Sequence, residues 1–151
     1  MIRILAFVLM CSVAPATAQT LKSSPWESRC ETPYCVFQKT LEFVDGTAFA
    51  VVDVLIDIET GDASIIASAP LGVALEPGAM LSVGEQSWVL PFKVCQVDGC
   101  RATMELDSDA FTGLLEKTEL RIRYTAFGAD TPLEASMLVE KLVTAISMAR
   151  P

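Results

Sequence analysis

Hydrophobic and polar residues alternate one by one through most of this chain, so its main prediction is strand rather than helix. The stretch 88–106 shows this most fully. Trp88, Leu90, Phe92 and Val94 interleave with Val89, Pro91 and Lys93, and Ala102, Met104 and Leu106 interleave with Arg101, Thr103 and Glu105. This predicts a two-stranded ribbon, with Asp98-Gly99 as its tight reversal and Cys95 and Cys100 on either side. Strands over 35–44 and 48–59 form a second predicted hairpin about Asp45-Gly46. In the first of these, Cys35, Phe37, Leu41 and Phe43 share a face that Lys39 interrupts, which predicts an end, a bulge or an edge there. In the second, Ala50, Val52, Val54, Ile56 and Ile58 share one face, while Phe49, Val51, Asp53, Leu55, Asp57 and Glu59 share the other. Short strands follow over 63–69 and 79–83, punctuated by Gly61-Asp62, Glu76-Pro77-Gly78 and Gly84-Glu85.

Helical periodicity enters only late. Asp107 or Ser108 caps a predicted helix over 108–116 that buries Ala110, Phe111, Leu114 and Leu115. A strand over 119–127 then turns Leu120, Ile122, Tyr124 and Ala126 inward. Thr131-Pro132-Leu133-Glu134 has the form of a capping box with proline at the first helical position. It predicts a C-terminal helix with Ala135, Leu138, Leu142, Ile146 and Ala149 along its apolar stripe. Strands in succession without β-α-β alternation predict a mainly β protein, an antiparallel β-sandwich or an open barrel, with both helices near the end. The sandwich is the favoured form, and Trp26 is expected to plug one end of its core.

The N-terminus predicts a compartment. Arg3, an apolar run over 4–13 and Ala16-Thr17-Ala18 before Gln19 have the pattern of a secretory signal peptide over 1–18. The run is too short for a comfortable membrane span, and Met10 before Cys11 disfavours a lipoprotein site. The expected mature chain is a single domain over 19–151 that is periplasmic or secreted and does not span the membrane. The sequence has 11 basic and 19 acidic side chains, and losing residues 1–18 removes Arg3 alone, moving the formal charge from -8 to -9. That acidity excludes nucleic acid as an expected partner, because phosphate binding needs clustered Lys and Arg.

Cleavage leaves Cys30, Cys35, Cys95 and Cys100. Four cysteines allow three pairings, and sequence alone does not choose among them. The equal four-residue brackets and an oxidising compartment favour Cys30–Cys35 and Cys95–Cys100 over a four-thiolate zinc site. No metal or cofactor is expected. The chain has no histidine, which removes Ser-His-Asp and Cys-His machinery. No glycine-rich phosphate loop is present.

Carboxylates are the remaining catalytic candidates. Asp53, Asp57 and Glu59 share a strand face in this reading, and Asp57 and Glu59 stand about 7 Å apart at strand spacing. Such a pair suits acid and base roles on a sugar linkage, so a hydrolase of envelope glycans is one alternative. The same face reads as a mixed interaction strip of Phe49, Val51, Asp53, Leu55, Asp57 and Glu59. The final helix is expected to cover its apolar half, with Arg121 and Arg123 standing beside its acids. A carrier of a small apolar molecule in a cavity between the sheets is the other alternative.

Together the landmarks resemble one family. They are the signal pattern, Trp26, Cys30 and Cys35, then Pro70-x-Gly72-Val73-x-Leu75-x-x-Gly78-x-x-Leu81. Pro91-Phe92-x-x-Cys95-x-x-x-Gly99-Cys100-x-Ala102 and Leu106-Asp107 complete them. The chain resembles the invasion-associated locus B family of exported alphaproteobacterial proteins over most of its mature length. Ser136-Met137 stands where that family often carries Gly-Phe, which marks a divergent member. The resemblance implies a small disulfide-containing β-sandwich in the periplasm or beyond it, with no established catalytic residues. The expected function is therefore non-enzymatic, exerted through contacts with an envelope or extracellular protein. A role in host invasion does not carry over with the scaffold.

Overall fold

The computed structural model describes residues 21–149, so the predicted signal peptide lies outside the described residues. Among those described, eleven strands form two antiparallel sheets, with two helices at one end of the sandwich. The larger sheet is ordered β1 (Leu21–Ser23), β3 (Tyr34–Phe43), β4 (Ala48–Asp57), β5 (Ala63–Ala69), β9 (Gly99–Leu106), β8 (Phe92–Gln96). A further strand, β2 (Glu27–Glu31), shares the β3 edge with β1. The smaller sheet is ordered β11 (Leu133–Leu138), β10 (Glu119–Tyr124), β6 (Ala79–Val83), β7 (Gln86–Leu90). Helix α1 spans Ser108–Leu115 and α2 spans Val139–Ala149.

Alternation decides the core, because a strand presents every second side chain to one face. Phe37 and Leu41, Val52 and Val54, and Ile65 and Ala67 line the inner face of the larger sheet. Leu81, Val83, Leu120 and Ile122 meet them from the smaller one. Lys39 does not end its strand. β3 runs through it, and Lys39 is buried where β2 gives way to β1. Its ammonium donates to the Ser24 carbonyl at 2.5 Å and sits 5.5 Å from the centre of the partly buried Trp26 ring. Burial lowers its pKa.

The bulge lies in β4 instead. Leu41 opposes Ala50 and Glu42 opposes Ala48, so Phe49 is the extra residue. Phe49 and Ala50 both point inward, which corrects the expectation that Phe49 shares a face with Val51.

The ribbon predicted over 88–106 divides at Pro91, which has no N–H for either ladder. Residues 86–90 pair with β6 in the smaller sheet, and only β8 doubles back on β9 in the larger. A register shift between Phe92 and Val94 then turns Val94 outward on the sheet edge. Gln96 opposes Gly99, so Val97 and Asp98 form the reversal and Gly99 does not. Gly99 has φ +136°, and a Cβ there would clash with the Ala69 carbonyl oxygen. Glycine is needed for close strand approach rather than for the turn.

The C-terminal helix starts seven residues later than its capping box predicts, at Val139 rather than Pro132. Leu133–Leu138 is extended as an edge strand whose six residues pair with β10, and Ala135 and Met137 are buried on its inner face. Satisfying the open ladder of β10 outweighs a local cap signal. Helix α2 then buries Val139, Leu142, Ala145 and Ile146, while Leu138, expected on its stripe, is half-exposed. Helix α1 follows its prediction closely. The Asp107 carboxylate caps it by accepting from Ala110 N, and Phe111 and Leu114 are buried, although Ala110 is exposed.

Candidate functional site

The predicted interaction strip comes apart at both ends. Val51, Asp53, Leu55 and Asp57 do share the outer face of the larger sheet, all partly buried. Phe49 is inside, tilted against Tyr124 with ring centres 5.0 Å apart. Glu59 lies past the strand in a turn, where its backbone N–H donates to Asp57 Oδ1 at 2.9 Å. Thr60 N–H donates to the same oxygen at 3.2 Å, so Asp57 organises the turn that ends β4. Asp53 accepts from Gln38 Nε2 at 2.7 Å. Helix α2 does not cover this face, since its Ile146 lines the same cleft as Phe37 and Ile56 of the inner face. Arg121 and Arg123 lie in the other sheet, where Arg121 meets Glu119 at 2.8 Å and Arg123 meets the Met80 sulfur.

The four cysteines form two disulfides, Cys30–Cys35 and Cys95–Cys100, each across a hairpin. The register separates them. Cys35 is level with Ile56 and so with Ala63, whereas Cys100 is level with Ala69, about 20 Å further along β5 at strand rise. A single four-thiolate site is therefore ruled out.

Each disulfide marks one end of the sandwich. At the Cys30–Cys35 end lies a cleft of about 630 Å³ that the strand pattern did not announce. The disulfide and Thr32 form one wall, and Phe37, Ile56, Asp57 and Ile58 rise from the ends of β3 and β4. Phe111, Thr112 and Leu115 come from α1, and Ile146 and Ala149 from α2. The described lining residues are mainly apolar, and the one ionisable residue among them is Asp57, whose side chain belongs to the outer face of β4. This open volume is not between the sheets, where the large side chains of the core are buried. The only hint in the sequence is Ile58, which ends the inward series of β4 yet is half-exposed.

At the Cys95–Cys100 end, loops present apolar side chains to solvent. Val97 at the hairpin tip is 97% exposed and Phe127 is 83% exposed. Leu71 and Leu75, on the loop after β5, are 59% and 56% exposed. These loops are tied together. Val73 bridges Ala126, Ala74 N–H donates to Thr125 O at 2.8 Å, and Phe127 N–H donates to Gly72 O at 2.6 Å. Below them the buried Tyr124 hydroxyl donates to Phe49 O at 2.7 Å, joining one sheet to the other. Burial pushes the Tyr124 pKa up to about 12.

A crystal structure of invasion associated protein B from Bartonella henselae has this fold, with a TM-score of 0.67 and 16% sequence identity. The match covers 84% of this chain and 92% of that one. No curated protein sequence matches this chain. The family model described as invasion associated locus B protein matches residues 14–147, in agreement with the cysteine, glycine and proline landmarks of the sequence. The chain belongs to the invasion associated locus B family.

Proposed function

We propose that this protein works outside the cytoplasm, in the periplasm or beyond it, as a non-enzymatic binding protein that docks on another envelope or extracellular protein. The observation that carries this reading is the loop end, where Val97, Phe127, Leu71 and Leu75 present apolar surface from tethered loops. Exposed apolar groups held in place cost little ordering entropy when a partner covers them. The chain is net acidic, so a partner with an apolar centre and a basic rim fits best. Two disulfides and the signal pattern support export. The non-enzymatic reading draws on the carboxylates, since Asp57 and Asp53 are engaged in fold-building hydrogen bonds.

A photo-crosslinking residue placed at Val97 in living cells tests the reading. It is expected to give one discrete protein adduct that Phe127→Ser abolishes and that a substitution at the opposite end leaves intact. Failure to form a reproducible adduct under several growth conditions refutes it. N-terminal sequencing of the exported protein checks the compartment, with Gln19 as the expected first residue.

A further inference from the structure

We propose that the partner of the loop end engages it through a cationic amphipathic peptide segment, in which apolar side chains are interspersed with lysine or arginine. This inference rests on the docking reading above and names the chemistry of what docks. The apolar part of the surface is continuous across neighbouring loops. Val97 tips the β8–β9 hairpin, and Gly99 of that hairpin packs on Ala69 and Pro70, just before Leu71. Phe127 is held to the same loop by its N–H on Gly72 O. The half-exposed Val44 adds a tip from the β3–β4 turn, at the same end of the larger sheet. Val97 and Phe127 are the most exposed large apolar side chains among the described residues, so they gain most when covered.

Charge selects the occupant. The loops over 44–47, 70–78, 97–98 and 125–132 contain Asp45, Glu76, Asp98 and Asp130 and neither lysine nor arginine. Asp98 is paired with Arg101 at 2.5 Å, whereas Asp45, Glu76 and Asp130 meet no cation among the described residues. The Lys22 ammonium, on β1 at this edge, donates to Val44 O at 3.3 Å. Leu21 pairs with Phe43 near this end, and the Gln19 and Thr20 before it have uncharged side chains. An apolar centre ringed by one sign of charge repels a second copy presenting the same end, and it repels an anionic lipid surface. A segment with apolar and basic side chains answers both halves of the surface.

The test uses the full exported chain, disulfide-bonded, and the fluorescence anisotropy of three short labelled peptides. All share one pattern of leucines, and their polar positions are all lysine, all glutamine or all glutamate. The lysine peptide is expected to bind one-to-one, at least about tenfold tighter than the glutamine peptide at low salt, and to lose that advantage above about 0.3 M salt. The glutamate peptide is expected not to bind. Phe127→Ser, at an exposed position, is expected to weaken the lysine peptide at least about tenfold without changing Tm. Asp45→Asn, Glu76→Gln and Asp130→Asn together are expected to flatten the salt dependence. Glu31→Gln, Glu59→Gln and Glu116→Gln, which remove the same charge at the opposite end, are expected to leave it intact. No saturable binding, equal affinity for the lysine and glutamine peptides, or equal effects of the two triple variants overturns the proposal. Tighter binding to phosphatidylglycerol vesicles than to the lysine peptide also overturns it. A Val97 adduct in cells alongside a lysine peptide that does not bind rejects the cationic segment and leaves the docking reading standing.

Discussion

Removing the hydroxyl in Tyr124→Phe tests how the two sheets are held together beneath the exposed loops. In the wild type that hydroxyl is buried and donates to the carbonyl of Phe49, the bulge residue without a cross-strand partner. Phenylalanine keeps the ring contact with Phe49 but leaves this buried carbonyl without the hydroxyl donor. Losing one partner of a buried hydrogen bond costs about 1–3 kcal/mol. For a domain of this size that lowers Tm by roughly 4–12 °C. The pH dependence gives a second, independent readout. A folded-state pKa raised to about 12 means the native protein keeps the Tyr124 proton where the unfolded chain has begun to lose it. The stability from this group is therefore complete below about pH 10 and is lost as pH rises from 10 through 12. Lys39 acts in the opposite sense, because a lowered lysine pKa makes its contribution improve as pH rises towards 10.5. It is present in both proteins and cancels in the difference. Urea unfolding at neutral pH and in steps above pH 10 measures both effects. The variant is expected to be weaker at neutral pH and to approach the wild type as alkali increases. Equal stability at neutral pH, or a constant gap into strong alkali, would refute the reasoning.

Three further substitutions probe the parts that shape the two ends. Gly99→Ala places a Cβ against the Ala69 carbonyl at positive φ, and is expected to lower the urea midpoint by the equivalent of about 1–3 kcal/mol. Asp107→Ala removes the cap on Ala110 N and is expected to cost about 1 kcal/mol by thermal denaturation, with a slope of unfolding unchanged in urea. Replacing Cys30 and Cys35 together by serine reopens a short loop and is expected to cost about 2 kcal/mol.

Much of the architecture was legible in the order of residues. Period-two alternation located β3, β4, β5, β6 and β10 to within a few residues, because a strand half in a core must repeat every second position. The equal cysteine spacings pointed to the pairing that is observed. Local signals misled where a distant partner had the stronger claim. The capping box at Thr131 is a real helix-start pattern, yet the open edge of β10 takes Leu133–Leu138 as a strand. Asp98-Gly99 reads as a turn, yet Gly99 answers to Ala69, thirty residues earlier in the chain.

The candidate sites depended still more on the third dimension. Sequence established the longer strands β3, β4, β5, β9 and β10, the alternating core, the cysteine framework and the family, all of which follow from residue type and local spacing, but not β1, β2 or β11. Tertiary structure decided that Phe49 turns inward, that Pro91 carries the chain between sheets, and that the helices leave a cleft beside Cys30–Cys35. It also gathered Leu71, Val97 and Phe127 at one end. A cleft or a surface patch is made of residues far apart along the chain. No local pattern encodes it, because it exists only once backbone pairing has fixed which loops become neighbours.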